Sequence, residues 1–477
     1  MPTSRLSIAL ATVLVAVASL SAVVDATETA DVPTAAAPTA SLVPWTDAWL
    51  LAHTDSYLHD GAKRRAVLEH ALTNPDNLYA RMRIAAYGLG DSGWDALPAW
   101  NPRAAGLDED TVAELRAGKS PRLPVATAPV WDGERPHSME QWVALGRQVF
   151  FTYPLRPEVS AQHAIADETL ARGLGLHAVD GDPAATGGVY PGLVVFRATD
   201  GTDQIGITCA LCHSTPEHGE LVVGRARRDF DYGAMRMAWH QASGEFIDPR
   251  LGARMTSWGP GRADITEDDD QDPVAIPDLW QLRSLRYLTQ AATIIHDRRD
   301  GNATPLALAI RQETQFIHAG GERTRPPREL AWALTMFLYS LEAPQAAADA
   351  PQADTKQAEL ARGRVLFERH CLDCHGDANH SGEAVAAGRV GTDRALADGT
   401  SRGTGLYRPA PLIGVAAAGP YLHDGTVATL EDLLDPERLH REFDRGVRAP
   451  GLVPGHTYGT RLSAPDRDAL VAWLRTL

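Results

Sequence analysis

The strongest constraint on this chain is a five-residue pattern that occurs twice. It reads Cys209-Ala-Leu-Cys212-His213 and then Cys371-Leu-Asp-Cys374-His375. A Cys-x-x-Cys-His run is the attachment site of a c-type haem, in which both thiols bond the porphyrin and the histidine binds iron. The motifs use all 4 cysteines of the 477 residues, so none remains for a disulfide or a zinc cluster. The pattern therefore predicts two covalently bound haem c groups. The alternative is a pair of Cys-x-x-Cys redox motifs, each followed by an incidental histidine.

Residues 1–26 have the pattern of a secretory signal peptide. Arg5 precedes an apolar run from Leu6 to Leu20, and small residues then permit cleavage after Ala22 or Ala26. Since the run is short for a membrane span, we expect no integral membrane protein, and an uncleaved anchor is the alternative. Export predicts a periplasmic or secreted protein, which suits c-type haem because bacteria attach it outside the cytoplasm.

The formal net charge of −16 bears on the choice of partner. Nucleic acids and anionic membranes require concentrated Lys and Arg, so we expect neither as a partner. An acidic surface permits steering of a basic redox protein. The predicted partners are a small redox protein or a quinol-derived electron carrier, together with a small oxidant.

The predicted fold is mainly α, with two cytochrome c-like haem domains in tandem. A flexible lead-in (27–44) and a helical N-terminal region (45–137) precede the first domain (138–345) and the second domain (346–477). Leu145–Phe151 and Gly363–Phe367 are similar helical segments ahead of the two haem motifs. About fifty residues separate Phe151 from Cys209, and we expect this Gly- and Pro-rich insertion to form long loops over the first haem.

A second repeat, downstream of each haem motif, allows the candidate axial ligands of the two haems to be compared. The segment from Pro277 to Thr293 aligns with the segment from Ala410 to Val427, and this alignment sets His423 against Thr289. No methionine follows Met336, so the second haem cannot take a methionine from its own domain. We expect His375 and His423 to be its two axial ligands, since Pro and Gly residues bound the His423 loop; the alternative is that His423 only forms hydrogen bonds. The other histidines in reach along the chain are His380, His440 and His456.

Because threonine is a poor iron ligand, the first haem is expected to be five-coordinate, held by His213 and open to a small oxidant. Three histidines are the remaining candidates for a distal ligand or an acid–base group, and three methionines are candidates for a thioether ligand: His240, His296 and His318, and Met235, Met237 and Met255. Each methionine has core packing as its alternative role.

Two charged segments suggest further contacts. Arg225, Arg227 and Arg228 follow the first motif and are candidates to pair with haem propionates, with a solvated basic turn as the alternative. The run from Asp264 to Asp272 holds six acidic residues in nine, which makes calcium a possible second cofactor. It lacks the full calcium-loop signature, so a solvated acidic loop is the alternative.

Taken together, these motifs resemble the dihaem cytochrome c peroxidase superfamily, which includes MauG-type and rubber-oxygenase-type proteins. The resemblance rests on Leu-Gly-x-x-x-Phe-Phe, the two haem motifs, Pro-Tyr-Leu-His-Asp-Gly and the ending Leu-x-x-Trp-Leu-Arg-Thr-Leu, and it spans roughly Ser138 to Leu477. It implies one haem that reacts with an oxidant and a second that relays electrons. Peroxidase members often use a methionine on the C-terminal haem, and its absence here argues against a standard hydrogen peroxide reductase. A Tyr-Leu-His-x-Gly loop with a bis-His second haem resembles the rubber-oxygenase branch more.

The sequence therefore predicts an exported dihaem oxidoreductase whose first haem reacts with peroxide or dioxygen. The competing hypothesis is a non-catalytic electron-transfer cytochrome with both haems six-coordinate. A haem-based sensor that binds a ligand without turnover is a third hypothesis.

Overall fold

The computed structural model describes residues 42–180, 186–264, 270–297, 305–344 and 354–477. The mainly α fold predicted from the sequence is confirmed. The helices are α1 Asp47–Ala52, α2 Thr54–His59, α3 Gly61–Ala71, α4 Leu78–Ala86, α5 Glu109–Arg116, α6 Met139–Thr152, α7 Val159–Ile165, α8 Glu168–Gly173, α9 Cys209–His213, α10 Tyr232–Ser243, α11 Pro249–Trp258, α12 Leu306–Ala319, α13 Arg328–Ser340, α14 Asp354–His370, α15 Ala387–Val390, α16 Ala395–Asp398, α17 Leu430–Leu434 and α18 Ala464–Leu474.

The strands are short and pair antiparallel. They are β1 Ala104–Gly106, β2 Arg156–Pro157, β3 Leu193–Arg197, β4 Asp203–Ile207, β5 Ser214–Glu217, β6 Glu220–Val223, β7 Arg262–Ala263, β8 Val274–Ala275, β9 Tyr287–Leu288, β10 Ile294–Ile295, β11 Val385–Ala386 and β12 Leu406–Tyr407. Four of them form a sheet in the order β1-β3-β4-β2, and the others pair two by two. Between Val43 and Leu477 the chain forms one compact unit.

Two crossed helix pairs share one packing device. Helix α6 crosses α13 at Gly146, where a Cβ atom would lie 2.0 Å from the carbonyl oxygen of Ala333. Helix α14 crosses α18 at Gly363, where a Cβ atom would lie 2.0 Å from the carbonyl oxygen of Ala469. Only glycine lets the two backbones approach this closely. The two segments that look alike in sequence therefore also pack alike, although only α14 runs directly into its haem motif.

Helix α13 explains why a helical region precedes the first haem motif. Every residue from Leu330 to Tyr339 is buried. A helix that is apolar on all sides must be covered on all sides. Helix α6 covers one side, and residues of the N-terminal helices such as Tyr57 and Tyr87 share the same core as Trp332. Residues 45–137 thus complete the core against which the first motif rests.

The insertion ahead of the first motif differs from the prediction. Where long loops were expected, the structure has helices α7 and α8 and the strand pair β3–β4. The apolar run Leu193–Phe196 is buried at the centre of the sheet. Ala198 and Thr202 close the connection between the two strands through a hydrogen bond from the Ala198 amide to the Thr202 carbonyl. The abundance of Gly and Pro around this run masked a β-branched segment that is typical of a buried strand.

The predicted signal peptide (1–26) and most of the lead-in (27–44) lie outside the described residues. Across the described ranges, no helix combines the length and the apolar character that crossing a bilayer requires. The predicted domain boundaries at 138, 346 and 477 stay predictions.

Candidate haem sites

The first motif forms the short helix α9, and its two cysteines face different cores. The Thr208 hydroxyl caps the helix by accepting a hydrogen bond from the Ala210 amide at 3.3 Å. Cys209 packs against the core that contains Phe150 and Phe151, whereas Cys212 packs against the core of the neighbouring sheet and helices. The motif therefore lies where two hydrophobic cores meet, which is suitable surroundings for an apolar porphyrin.

His213 is held in one orientation by the loop that follows β8. Its Nδ1 atom donates to the carbonyl oxygen of Pro277 at 3.0 Å. That bond leaves Nε2 as the nitrogen available to a metal, and such a backbone partner commonly orients a metal-binding histidine. Burial lowers the pKa of His213 to about 4, so the imidazole is neutral at neutral pH, as an iron ligand must be. The charged side chains that act on it are Arg311 and Arg228.

The chemistry of the thiols argues against the redox alternative. Burial raises the pKa of Cys209 to about 12 and that of Cys212 to about 11. Burial likewise raises the pKa of Cys371 to about 12. Redox-active Cys-x-x-Cys motifs instead lower a thiol pKa so that a thiolate forms. None of the 4 cysteines pairs with another in a disulfide, so all are available for attachment to haem.

The second motif follows α14 directly. His375 Nδ1 contacts the carbonyl oxygen of His380 at 2.7 Å, and the Ala410 carbonyl also acts on this imidazole. Burial lowers the pKa of His375. Ala410 aligns with Pro277 in the sequence repeat, so aligned carbonyl groups orient both proximal histidines. His380 lies on the Nδ1 side of His375, where its ring packs edge-on against Phe367; an axial ligand would have to lie beyond Nε2.

His423, the predicted second axial ligand, packs against Tyr407. The two rings stack with centroids 4.3 Å apart, and His423 Nε2 is 3.2 Å from the Tyr407 hydroxyl. Burial lowers the pKa of His423, and the nearby charges are those of Asp424, Asp393 and Arg448. These contacts are the ones expected if His423 is a hydrogen-bonding loop residue, which is the alternative role given above.

His456 has surroundings that favour iron binding more strongly. Its Nδ1 atom is buried and has no hydrogen-bond partner among the described residues. Burial lowers its pKa to about 4, and the charge of His375 lowers it further. Its backbone φ of 42° lies in the left-handed region, which costs a non-glycine residue free energy and is typical of functional positions. The amide of His456 donates to Val390, whose neighbour Arg389 pairs with Asp373 inside the second motif.

Arg438 fixes this segment from behind. Its guanidinium is buried and donates to the carbonyl groups of Val453, Gly455 and His456 at 2.8, 2.9 and 2.7 Å. His440, in contrast, is exposed at the end of a 3-10 turn.

The candidates for the first haem's distal side have other partners. His296 is buried, with Nδ1 2.9 Å from the Leu285 carbonyl and Nε2 2.6 Å from the Tyr339 hydroxyl, so both nitrogens are engaged. His318 pairs with Glu322 at 3.1 Å, and His240 Nδ1 is 3.1 Å from the Glu245 carbonyl.

The methionine candidates are packing residues. Met235 and Met255 are core residues beside the sheet, and Met237 packs at the margin of that core. The Thr289 hydroxyl is 2.8 Å from that of Thr293 within its own turn.

Buried arginines fit the carboxylates of haem. Arg227 is fully buried behind the first motif; its Nε and Nη2 atoms donate to the Ser214 carbonyl, while Nη1 has no partner among the described residues. Arg408, near the second motif, likewise has an unpartnered Nε. A buried guanidinium that lacks an acceptor is costly on its own and fits a propionate. Arg225 and Arg228 instead pair with Glu217 and Asp278.

The possible calcium site falls partly on residues 265–269, which lie outside the described residues. Of the remaining acidic residues, Asp264 and Asp272 are buried and each lies 3.3 Å from Arg402. Among the described residues, no group of three or more His, Cys, Asp or Glu side chains is arranged to hold a metal ion. Arg402 thus pairs with both buried carboxylates, and calcium as a second cofactor stays a prediction.

Several of these residues carry no signal in the sequence. The carbonyl groups of Pro277 and Ala410 could be found only through the repeat, since any residue offers a carbonyl. Arg311 and Arg408 lie far along the chain from the motif that each accompanies. The stacking of Tyr407 on His423 depends on the β11–β12 pair, whose strands are two residues long.

Residues 405–443 match the family described as RoxA-like, cytochrome c-like. This match supports the predicted relationship to the dihaem cytochrome c peroxidase-like superfamily, and with it haem c as the cofactor and an oxidoreductase-type function. The matched stretch contains Tyr407, Ala410 and His423.

Two solved structures resemble parts of the chain. A MauG-like protein associated with microbial copper homeostasis is 20% identical, with 43% of this chain and 75% of that chain covered at a TM-score of 0.26. The hydrazine synthase of Kuenenia stuttgartiensis is 16% identical, with 43% and 73% covered at a TM-score of 0.27. At these scores the structural likeness adds nothing to the family match. No curated protein matches the chain.

Proposed function

We propose that the chain is an exported dihaem c-type cytochrome that acts as an oxidoreductase. Peroxide or dioxygen reacts at the first site, held by Cys209, Cys212 and His213. The second site, held by Cys371, Cys374 and His375, relays electrons to or from a small redox protein or a quinol-derived carrier. When bound, the haem groups supply the redox chemistry, and the protein sets ligands, access and charge.

The observation that carries this proposal is the difference between the surroundings of the two proximal histidines. The charged groups acting on His213 are the arginines Arg311 and Arg228. At the second site the charge of His375 acts on a second imidazole, His456, whose Nδ1 atom has no hydrogen-bond partner among the described residues. An arginine does not ligate iron, but it can donate hydrogen bonds to an oxidant or a propionate. The first site is thus suited to an exogenous ligand and the second to two imidazoles.

For the second axial ligand we propose His456 in preference to His423. Both are buried and both lie in loops of the second half. The Nε2 atom of His423 lies 3.2 Å from the Tyr407 hydroxyl, whereas Nδ1 of His456 has no partner among the described residues and its carbonyl accepts a hydrogen bond from Arg438. A rigid, preorganised imidazole loses little freedom on binding iron, so His456 is the better ligand on physical grounds.

Spectroscopy of the ferric holoprotein with two matched variants tests this function. Pyridine haemochrome should count two haems per chain, and electron paramagnetic resonance should show one high-spin and one low-spin signal. His456→Ala should convert the low-spin signal to high-spin, while His423→Ala should leave it in place. The reverse result would restore His423 as the ligand. Two low-spin haems that ignore peroxide and cyanide would instead support the electron-transfer cytochrome.

A further inference from the structure

The segment Ala275–Asp278, which starts at the last residue of β8, connects the surroundings of the two candidate haem sites. The amide of Ala275 donates to the carbonyl of His423 at 2.9 Å, and the carbonyl of Pro277 accepts from His213 at 3.0 Å. Ile276 alone separates these two residues, and its own amide donates to Gly261 at 2.9 Å. Two hydrogen bonds and three consecutive residues therefore link His213 of the first motif to the His423 turn, whose Tyr421 packs in the same core as Cys371 of the second motif.

The ion pair of Arg228 and Asp278 contacts both the Pro277 segment and the backbone ahead of the His423 turn. Asp278 follows Pro277 directly, and its Oδ2 atom lies 2.9 Å from Arg228 Nη2, with a second bond between Oδ1 and Nη1 at 3.2 Å. Arg228 Nη2 also donates to the Ala418 carbonyl at 2.9 Å, and its Nε donates to the Gly419 carbonyl. Both side chains are largely shielded from water, at 23% and 13% exposed. The pair thus has one end beside the ligand of the first haem and the other end on the backbone that opens the His423 turn.

We propose that Arg228 and Asp278 are positioning residues that couple the two haem sites, by setting the charge beside the His213–Pro277 hydrogen bond and by holding the Ala418–Gly419 backbone against it. This inference rests on the proposed function, since it requires a haem at each motif.

The charge balance gives the coupling a sign that experiment can read. With both residues present, the pair is neutral. Loss of Arg228 leaves the Asp278 carboxylate uncompensated beside the first site, which stabilises ferric over ferrous iron and lowers the reduction potential. Loss of Asp278 leaves a positive guanidinium and raises the potential. A unit charge acting through partly buried protein changes such an equilibrium by roughly tenfold, which is about 59 mV for a one-electron couple.

The hydrogen bonds from Arg228 to Ala418 and Gly419 can be tested separately from the charge. In the double variant Arg228→Gln, Asp278→Asn, the charges again balance. The glutamine amide that replaces the guanidinium is shorter and neutral, so it holds the carbonyl groups of Ala418 and Gly419 less well. The potential of the first haem should therefore return close to that of the wild type. The response of one haem to a ligand on the other should fall.

The experiment compares Arg228→Gln, Asp278→Asn and the double variant in the full holoprotein. Arg197→Gln is the matched control, because Arg197 pairs with Asp203 on the sheet and its loss removes an arginine of similar type. Pyridine haemochrome first counts the haems, so a missing haem counts against the proposed function and not against the coupling. Spectroelectrochemistry then gives both potentials, with and without cyanide.

We expect a lowered first-haem potential for Arg228→Gln, a raised one for Asp278→Asn and a near-native one for the double variant and for the control. Cyanide should shift the second-haem potential in the wild type, and that shift should at least halve in the double variant. With two haems present, single variants that shift the potential in the same direction would overturn the proposal. A double variant that keeps the full cyanide response would overturn it as well.

Discussion

Replacing Gly363 by alanine places a methyl group inside the crossing of α14 and α18. An ideal Cβ atom there would lie 2.0 Å from the Ala469 carbonyl oxygen and 2.7 Å from the Cβ atom of Trp473. Carbon–oxygen contacts in proteins settle near about 3.3 Å, so the helices must separate by roughly 1 Å. Overpacking of this kind costs about 1–3 kcal/mol, and two backbone-level contacts favour the upper end. The better helix propensity of alanine returns about 1 kcal/mol, so we expect a net loss of roughly 2 kcal/mol.

The assay is denaturant unfolding of the holoprotein, followed by helical circular dichroism, with Gly173→Ala as the matched control. Gly173 ends α8 and has no heavy atom within 4 Å of an added Cβ. The control should unfold within about 1 kcal/mol of the wild type. Because Phe367 follows Gly363 by one turn and precedes Cys371, the variant should also take up less haem at the second motif than at the first. Equal unfolding midpoints for Gly363→Ala and the wild type would refute the close crossing.

Three further predictions follow from buried groups. Burial lowers the pKa of His296 to about 4, so on acidification the unfolded chain takes up this proton at a higher pH than the folded protein. The free energy of unfolding should therefore fall between about pH 6.5 and pH 4, by up to about 3 kcal/mol from this residue. His296→Phe should flatten that part of the pH–stability curve. In apoprotein, the raised pKa values of Cys209 and Cys212 should make thiol-reagent labelling at pH 8 much slower than in unfolded chain; fast labelling of the folded form would contradict their burial. Arg402→Met should destabilise the protein by about 1–3 kcal/mol, because the buried carboxylates of Asp264 and Asp272 each lose an ion pair with Arg402, and the loss should appear as a lower midpoint in denaturant unfolding.

The parts of the fold that the sequence predicts are those governed by local pattern. The Gly-x-x-x-Phe segments at Gly146 and Gly363 predicted matching helices, and both helices exist and cross a partner alike. The four-stranded sheet was missed, because its partners β1 and β3 lie almost ninety residues apart and short strands carry little signal. The N-terminal helices were predicted, but their burial against α13 is a tertiary contact that no local pattern encodes.

The candidate site likewise has a part that a local motif predicts and a part that depends on tertiary contacts. Covalent attachment depends on five consecutive residues, so the sequence alone predicts roles for Cys209, His213 and their counterparts, and these stay predictions. An axial ligand depends on which loop reaches the iron. The sequence favoured His423 for its flanking Pro and Gly, and the contacts of Tyr407 and Arg438, distant along the chain, shift the preference to His456.

Cyanide titration of the ferric holoprotein, followed by optical absorption and referenced to the haem count, tests the central claim most directly. An open site at His213 and a second site closed by two imidazoles should bind one cyanide for every two haems, and His456→Ala should raise this to two. A wild-type protein that binds none, or one at each haem, would contradict the account.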